Sequence, residues 1–238
     1  CAQARDLALA AAYLRHELSL MELAEAAEVV RAAREGSEAG LCRARLLLSV
    51  IALALAPATA RTLREALAQT AAACGDVGTA LMLAPPPPTS DETVGSPLPL
   101  PDFGVGRPLT LGERKSLARG RDRNLLARVL RDPHGDVIRV LLGNPAVTET
   151  DVVRLCARRP VAPDVLREVA SAARWIVRYE VRLALAKNPY TPLEVSVPAA
   201  LQLRAPDQRA IAASEELPET LREACARALT TAAARTLH

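Results

Sequence analysis

The chain has 238 residues, half of them hydrophobic but only 2% aromatic, and a mean hydropathy of +0.10. Its apolar content is therefore Ala, Leu and Val, which suits close-packed helices and argues against a sandwich or barrel rich in aromatic and β-branched residues. The net charge of +3 hides an asymmetry, with 8 basic and 9 acidic residues in 1–83, 1 and 3 in 84–108, and 21 and 15 in 109–238; that mild basic bias falls short of the footprint of an obligate nucleic-acid binder.

Residues 1–83 read as helix. Leu7, Leu14, Leu18, Met21 and Val29 form an apolar stripe, with Arg15, Glu22, Glu25, Glu28, Arg31 and Arg34 on the wet side. Ser19 with Glu22 predicts a capping box and a break there, and Gly36-Ser37 with Gly40 predicts the end of that segment. A second helix over about 38–56 is apolar almost all round and so is expected at the centre. Its longest apolar run, Leu46 to Ala56, is too short for a membrane span, which needs about 20 residues. Pro57 ends it, and a third helix runs from about Thr59 to Cys74, closed by Gly75, with a tail through Leu83. Short turns between such helices predict a small N-terminal helical bundle over 1–83.

Residues 84–108 hold eight of the 18 prolines, including Pro85 to Pro88, and predict an extended linker or strap. Phe103-Gly104-Val105-Gly106 lacks the flanking strand and helix of a phosphate loop. From Thr110 onward the chain is punctuated by caps: Thr110 with Glu113, Asp122, Thr148, Pro163, Thr191-Pro192 with Glu194, Pro206 and Pro218. The spacing predicts helices to Ala118, to Leu130, over Asp136 to Leu142, to Arg158, from Pro163, over Trp175 to Lys187, and a last one ending near Arg235. Such short loops leave no room for strands, so the predicted fold class is all-α.

A phrase recurs in this half. Leu142-Gly143-Asn144-Pro145 with Thr148 and Asp151 returns as Leu185-Ala186-Lys187-Asn188-Pro189 with Thr191 and Glu194, and in a degraded form as Arg158-Arg159-Pro160 with Pro163 and Asp164. A repeat of this kind predicts stacked short helices. Val181-Arg182, Leu185-Ala186, Asn188-Pro189, Pro192 and Glu194 resemble the leucine-rich-repeat-variant form of HEAT-like α-solenoids. The copy at Ile138-Arg139 is one residue shorter between Arg and Asn, and the third copy has lost the Asn. The resemblance implies a short HEAT-like solenoid of about three to five helix pairs over 109–238, with a concave surface for a partner. It also implies that Arg139 and Arg182 lie on inner helices near the ridge between repeats; the alternative is that they cap carbonyls or pair with Asp136 and Glu180. The best-known variant member carries an N-terminal cysteine cluster for iron and sulfur, which this chain lacks, so no cofactor is carried over.

Cys1, Cys42, Cys74, Cys156 and Cys225 are scattered and have no metal-ligand spacing, which predicts apolar thiols in a reducing cytoplasm. Cys1, with no initiator Met before it, leaves open a lipidated first residue and membrane anchoring against a truncated start. His16, His134 and His238 lie in unrelated contexts. With no nucleophile elbow, Walker loop or paired-carboxylate motif, neither a metal site nor a catalytic role is expected.

Two surfaces stand out. Trp175 and Tyr179 are spaced to share one helix face, with Arg174, Arg178 and Arg182 in a second row. They read as an anchor between repeats or as a hot spot for a protein or peptide partner. Arg114, Lys115, Arg119, Arg121, Arg123 and Arg128 form the densest basic stretch, read as a solvated face or as a phosphate-tracking surface. The expected function is a non-catalytic adaptor or scaffold centred on Trp175, Arg178, Tyr179 and Arg182. Residues 1–83 are expected to dock on the solenoid or to mediate self-association. Nucleic-acid or polyanion binding through 114–131 is the alternative.

Overall fold

Residues 2–84, 98–104 and 106–236 are described by a computed structural model, and over these residues the protein is all-helical, without a strand. The first helices are α1 (Ala2–Leu20), α2 (Leu23–Glu38), α3 (Cys42–Leu55), α4 (Arg61–Ala73) and α5 (Val77–Leu83), with a short 3-10 turn, Ala58–Ala60, ahead of α4. Leu18 meets Val30, Leu48 and Ile51 in a shared core, as its place in the apolar stripe predicts. The boundaries differ from the local signals. Ser19 caps nothing downstream: its hydroxyl donates to His16 O (2.6 Å), and Glu22, the N-cap residue of α2, makes no side-chain cap. α2 runs through Gly36 and Ser37, and a Cβ at Gly36 would lie 2.7 Å from the Ala44 Cβ of α3, so the close approach accounts for the glycine. The glycine is a crossing point there, and Gly40, at φ 75°, makes the turn. α3 is covered on two sides, by Leu48, Ile51 and Leu55 toward α2 and Val197 and by Leu53 and Ala54 toward Ala11 of α1 and Ala173, whereas Leu46 and Leu47 near its start reach solvent.

Prolines 85 to 88 and Pro97 of the expected strap lie outside the described residues, as do Val105, Cys1 and His238. The end of the strap is anchored: Phe103 is buried beside Leu126 and Val129, and Asp102 O accepts from Arg128 Nη1 (3.2 Å).

The second half comprises α6 (Leu111–Ala118), α7 (Arg123–Val129), α8 (Gly135–Leu142), α9 (Glu149–Ala157), α10 (Pro163–Ser171), α11 (Ala173–Ile176), α12 (Tyr179–Ala186), α13 (Leu193–Leu201), α14 (Ala205–Ala212) and α15 (Glu219–Thr236). Thr110 with Glu113 and Thr148 with Asp151 form complete capping boxes, and Asp122 caps α7 through the Asn124 and Leu125 amides. Thr191 with Glu194 does not: Pro192 takes the N-cap position, and Glu194 pairs with Arg167 instead (2.8 Å). The single helix expected over Trp175 to Lys187 is two, α11 and α12, broken at Val177-Arg178, where Arg178 turns to extended backbone (φ −78°, ψ 130°).

The helix ends explain why the chain is so rich in side-chain donors. The last carbonyls of a helix have no partner within it, and when neighbours bury them a donor must come from elsewhere. Asn144 donates Nδ2 to Ala118 O (2.8 Å) and Gly120 O (2.6 Å), at the end of α6. Asn188 repeats this on Cys156 O (2.6 Å) and Arg158 O (2.9 Å), at the end of α9. Each asparagine also accepts from the amide two residues on, Ala146 and Tyr190. The Asn-Pro phrase is thus a clamp on an earlier helix as well as a stop. Arginines do the same elsewhere: Arg64 reaches Leu55 O (2.7 Å), Arg158 Leu130 O (2.9 Å) and Arg159 Lys187 O (2.8 Å), and a cation suits the negative end of the dipole.

Two cores result. One gathers α6 to α10 with Trp175, Val181 and Leu185. The other joins α2 to α5 to residues of α13, α14 and α15, among them Val197, Leu201, Ile211 and Leu221. The N-terminal helices therefore pack directly on the array of α6 to α15: α13, buried from Glu194 to Leu201, touches α3 and α5, α15 touches α2, and α1 and α3 reach α11 and α10.

Candidate interaction surface

Trp175 is 2% exposed, and its indole nitrogen donates to Leu142 O (2.9 Å), the end of α8. Arg174 lies over the ring, 4.3 Å from its centroid, and reaches toward Asn144 O (3.4 Å) and Val147 O (3.5 Å). Tyr179 faces another way: its hydroxyl donates to Asp207 of α14 and accepts from the Arg204 amide. The break between α11 and α12 separates the two aromatics, which the i, i+4 spacing had placed on one face. Arg178 is exposed and pairs loosely with Glu149 (3.5 Å). Arg182 turns back to the carbonyls that the break frees, Ile176 O (3.0 Å) and Val177 O (2.8 Å). Arg139 pairs with Asp136 (3.1 Å) and with Glu168 (2.5 Å) on α10. It lines a cleft of about 160 Å³ where His134, Asp164 and Arg167 also converge. Charges in that cleft are matched, since Arg167 holds both Asp164 and Glu194 at 2.8 Å and Lys115 holds Asp136 at 2.9 Å.

The basic stretch is largely engaged. Arg114 is buried on Asp132 (2.7 Å to both oxygens) and Lys115 is on Asp136. Arg123 forms a two-pronged pair with Asp151 (2.9 and 3.0 Å). Arg128 holds the strap, and Arg119 bonds the Lys115 carbonyl (3.3 Å), which leaves Arg121 exposed with no bond among the described residues. Burial pushes the Asp151 carboxyl up, but Arg123 and the Thr148 amide and hydroxyl together outweigh it and hold it at about 2.

Exposed apolar area collects elsewhere, on the N-terminal helices. α1 carries a second apolar row on its outer side: Leu9 (73% exposed), Tyr13 (66%) and Leu20 (69%) follow helical spacing, while Leu14 and Leu18 face the core. Leu41, Leu46 and Leu47, on α3 and its approach, are exposed as well. The sequence stripe drew attention only to the inward row, although Leu9 and Tyr13 are visible at i, i+4 on the opposite face. The cysteines divide by place, with Cys42 and Cys74 exposed and Cys156 and Cys225 buried; burial alone pushes both buried thiols up, Cys225 to about 12. Among the described residues no three His, Cys, Asp or Glu side chains are grouped to hold a metal ion, and no helix is long and apolar enough to cross a membrane. The chain matches no family model, no curated protein and no solved structure.

Proposed function

We propose that the protein is a non-catalytic adaptor or scaffold: a HEAT-like helical stack that carries an N-terminal bundle and holds another protein or a peptide. The outer row of α1 supports this best, because Leu9 and Tyr13, one turn apart, and Leu20, two turns further on, stay in water on the face opposite a filled inner one. A soluble helix that is apolar on two sides gains by burying the second, and contiguous exposed apolar patches mark contact surfaces. The contact face therefore moves from Trp175, whose indole serves the core, to Leu9, Tyr13 and Leu20.

The test compares the chain with a Leu9→Glu, Tyr13→Glu variant, and with an Arg119→Glu, Arg121→Glu variant, in affinity capture from the native source and in sedimentation velocity. The adaptor reading expects a discrete partner, or a second copy, to be lost from the first variant only, with both variants keeping the wild-type melt. Strong heparin retention with a steep salt dependence, abolished in the second variant, would replace it with polyanion binding.

A further inference from the structure

α1 packs on α3 and α11, and Leu7, Ala11, Leu14 and Leu18 carry its inward face. The opposite face holds Asp6, Leu9, Tyr13, His16 and Leu20, all of them exposed. The intervals between these five alternate between three and four residues, which is the spacing of a coiled-coil seam. At about 100° per residue they fall within about 80° of the helix circumference, so the row is one narrow seam with a charge toward each end and apolar side chains between. Ala10 and Ala12, also exposed, flank the seam on its two sides, and small side chains there let a second helix come close.

The seam is complementary to itself. A two-fold interface brings the same patch of both copies together, so each member of the row must find its match within the row. With two α1 helices antiparallel and the axis midway between Leu9 and Tyr13, Leu9 of each copy meets Tyr13 of the other, and Asp6 meets His16. Ala10 then falls beside Ala12. The imidazole N–H donates to the carboxylate, and both contacts occur twice. Other arrangements of the same helices are poorer. A parallel pair in register sets Asp6 against Asp6 and His16 against His16. An antiparallel pair with its axis at Tyr13 sets Asp6 against Leu20 and Leu9 against Glu17, which takes two carboxylates from water without a partner.

We propose that the partner on the outer row of α1 is a second copy of this chain, bound antiparallel about a two-fold axis with Leu9 on Tyr13 and Asp6 on His16. The proposal rests on the reading of that row as a contact face and names what the face takes. One helix pair gives an interface at the small end of the range for specific contacts, so the dimer is reversible, with a Kd of about 1–100 μM.

Sedimentation of the full chain over a concentration series from about 1 μM to about 1 mM tests it. Wild type is expected to pass from monomer to dimer within that range, and the Leu9→Glu, Tyr13→Glu variant to stay monomeric throughout. Asp6→Arg and His16→Asp each lose both charge pairs and are expected to raise the Kd by about fivefold or more. The two changes combined in one chain are expected to bring the Kd back to the wild-type value or below, because each new charge then meets its opposite across the axis. All four positions are exposed, so every variant is expected to keep the wild-type melt. A wild-type chain that stays monomeric to about 1 mM would overturn the proposal; if a different protein were still captured and then lost on Leu9→Glu, Tyr13→Glu, the contact face would stand with another occupant. A combined variant that dimerises no better than the single ones would overturn the antiparallel register, since a parallel pair, or an unrelated partner, gains nothing from the second change. A dimer that survives Leu9→Glu, Tyr13→Glu would remove both the proposal and the contact face it rests on.

Discussion

Asn188 is 2% exposed and satisfies three backbone groups with one side chain, two carbonyls through Nδ2 and the Tyr190 amide through Oδ1. Each such group left buried and unpaired costs about 1–3 kcal/mol, although the costs are not additive where solvent reaches in. Asn188→Asp keeps the size and the acceptor but puts a carboxylate against two carbonyls. It is expected to lower the unfolding free energy by about 2–4 kcal/mol, read as a shift of the urea midpoint. Asn144→Asp should behave alike, since Asn144 makes the same contacts one phrase earlier. A substitution at Arg121, which is exposed, should change stability by less than about 0.5 kcal/mol. An Asn188→Asp protein as stable as wild type would mean that the asparagine only stops its helix.

Helix starts were legible in the sequence wherever the cap and its target lie within three residues, as at Thr110, Asp122 and Thr148. Features set by distant partners were not. The Asn clamps close over 24 to 32 residues, and the break at Arg178 has no glycine or proline to announce it. It exists because Trp175 must reach Leu142 while Tyr179 must reach Asp207, directions that one continuous helix cannot serve. Gly36 misled for a similar reason, since a helix breaker by propensity is here a helix crossing. Gly36→Ala should therefore destabilise by about 1–3 kcal/mol through overpacking, despite the gain in helix propensity of about 1 kcal/mol. Gly112→Ala, in open space on α6, should stabilise by about 0.4–1 kcal/mol. The capping boxes carry a pH signature. Asp151 stands at about 2 in the fold against an ordinary 3.8, so its contribution is complete above that ordinary value and is lost as the pH falls through about 4 to about 2. The stability gap between wild type and Asp151→Asn should be widest near neutrality and close over that window; a gap independent of pH would remove the Arg123 pair from the account.

The two halves predicted from composition meet through α13, which packs against α3 and α5 on one side and α12 and α15 on the other. Nothing local in the sequence announces that meeting, because Val197 and Leu201 look like any core residues until Leu48 and Ile51 are found beside them. Arg64 of α4 adds a polar tie, 3.7 Å from Glu194, which Arg167 also holds. The pair is buried on both sides, so losing one partner strands the other. A core shared in this way makes separate unfolding of the N-terminal helices costly, since it would strip α13 and α15 of their cover. Trp175 is the only tryptophan and lies in the other core, which holds α6 to α10 and, from the N-terminal half, only Ala56 among the described residues, so its fluorescence reports chiefly on the array. Leu48→Ala, a truncation at a fully buried site of α3, should cost about 2–5 kcal/mol. It should move the Trp175 transition in urea by the same amount as the transition in helical signal, with both curves superimposing before and after the change. If the tryptophan midpoint stayed put while the helical signal split into two steps, the bundle would be a guest on the array, and α13 would be a surface of the array that the bundle covers without sharing its stability.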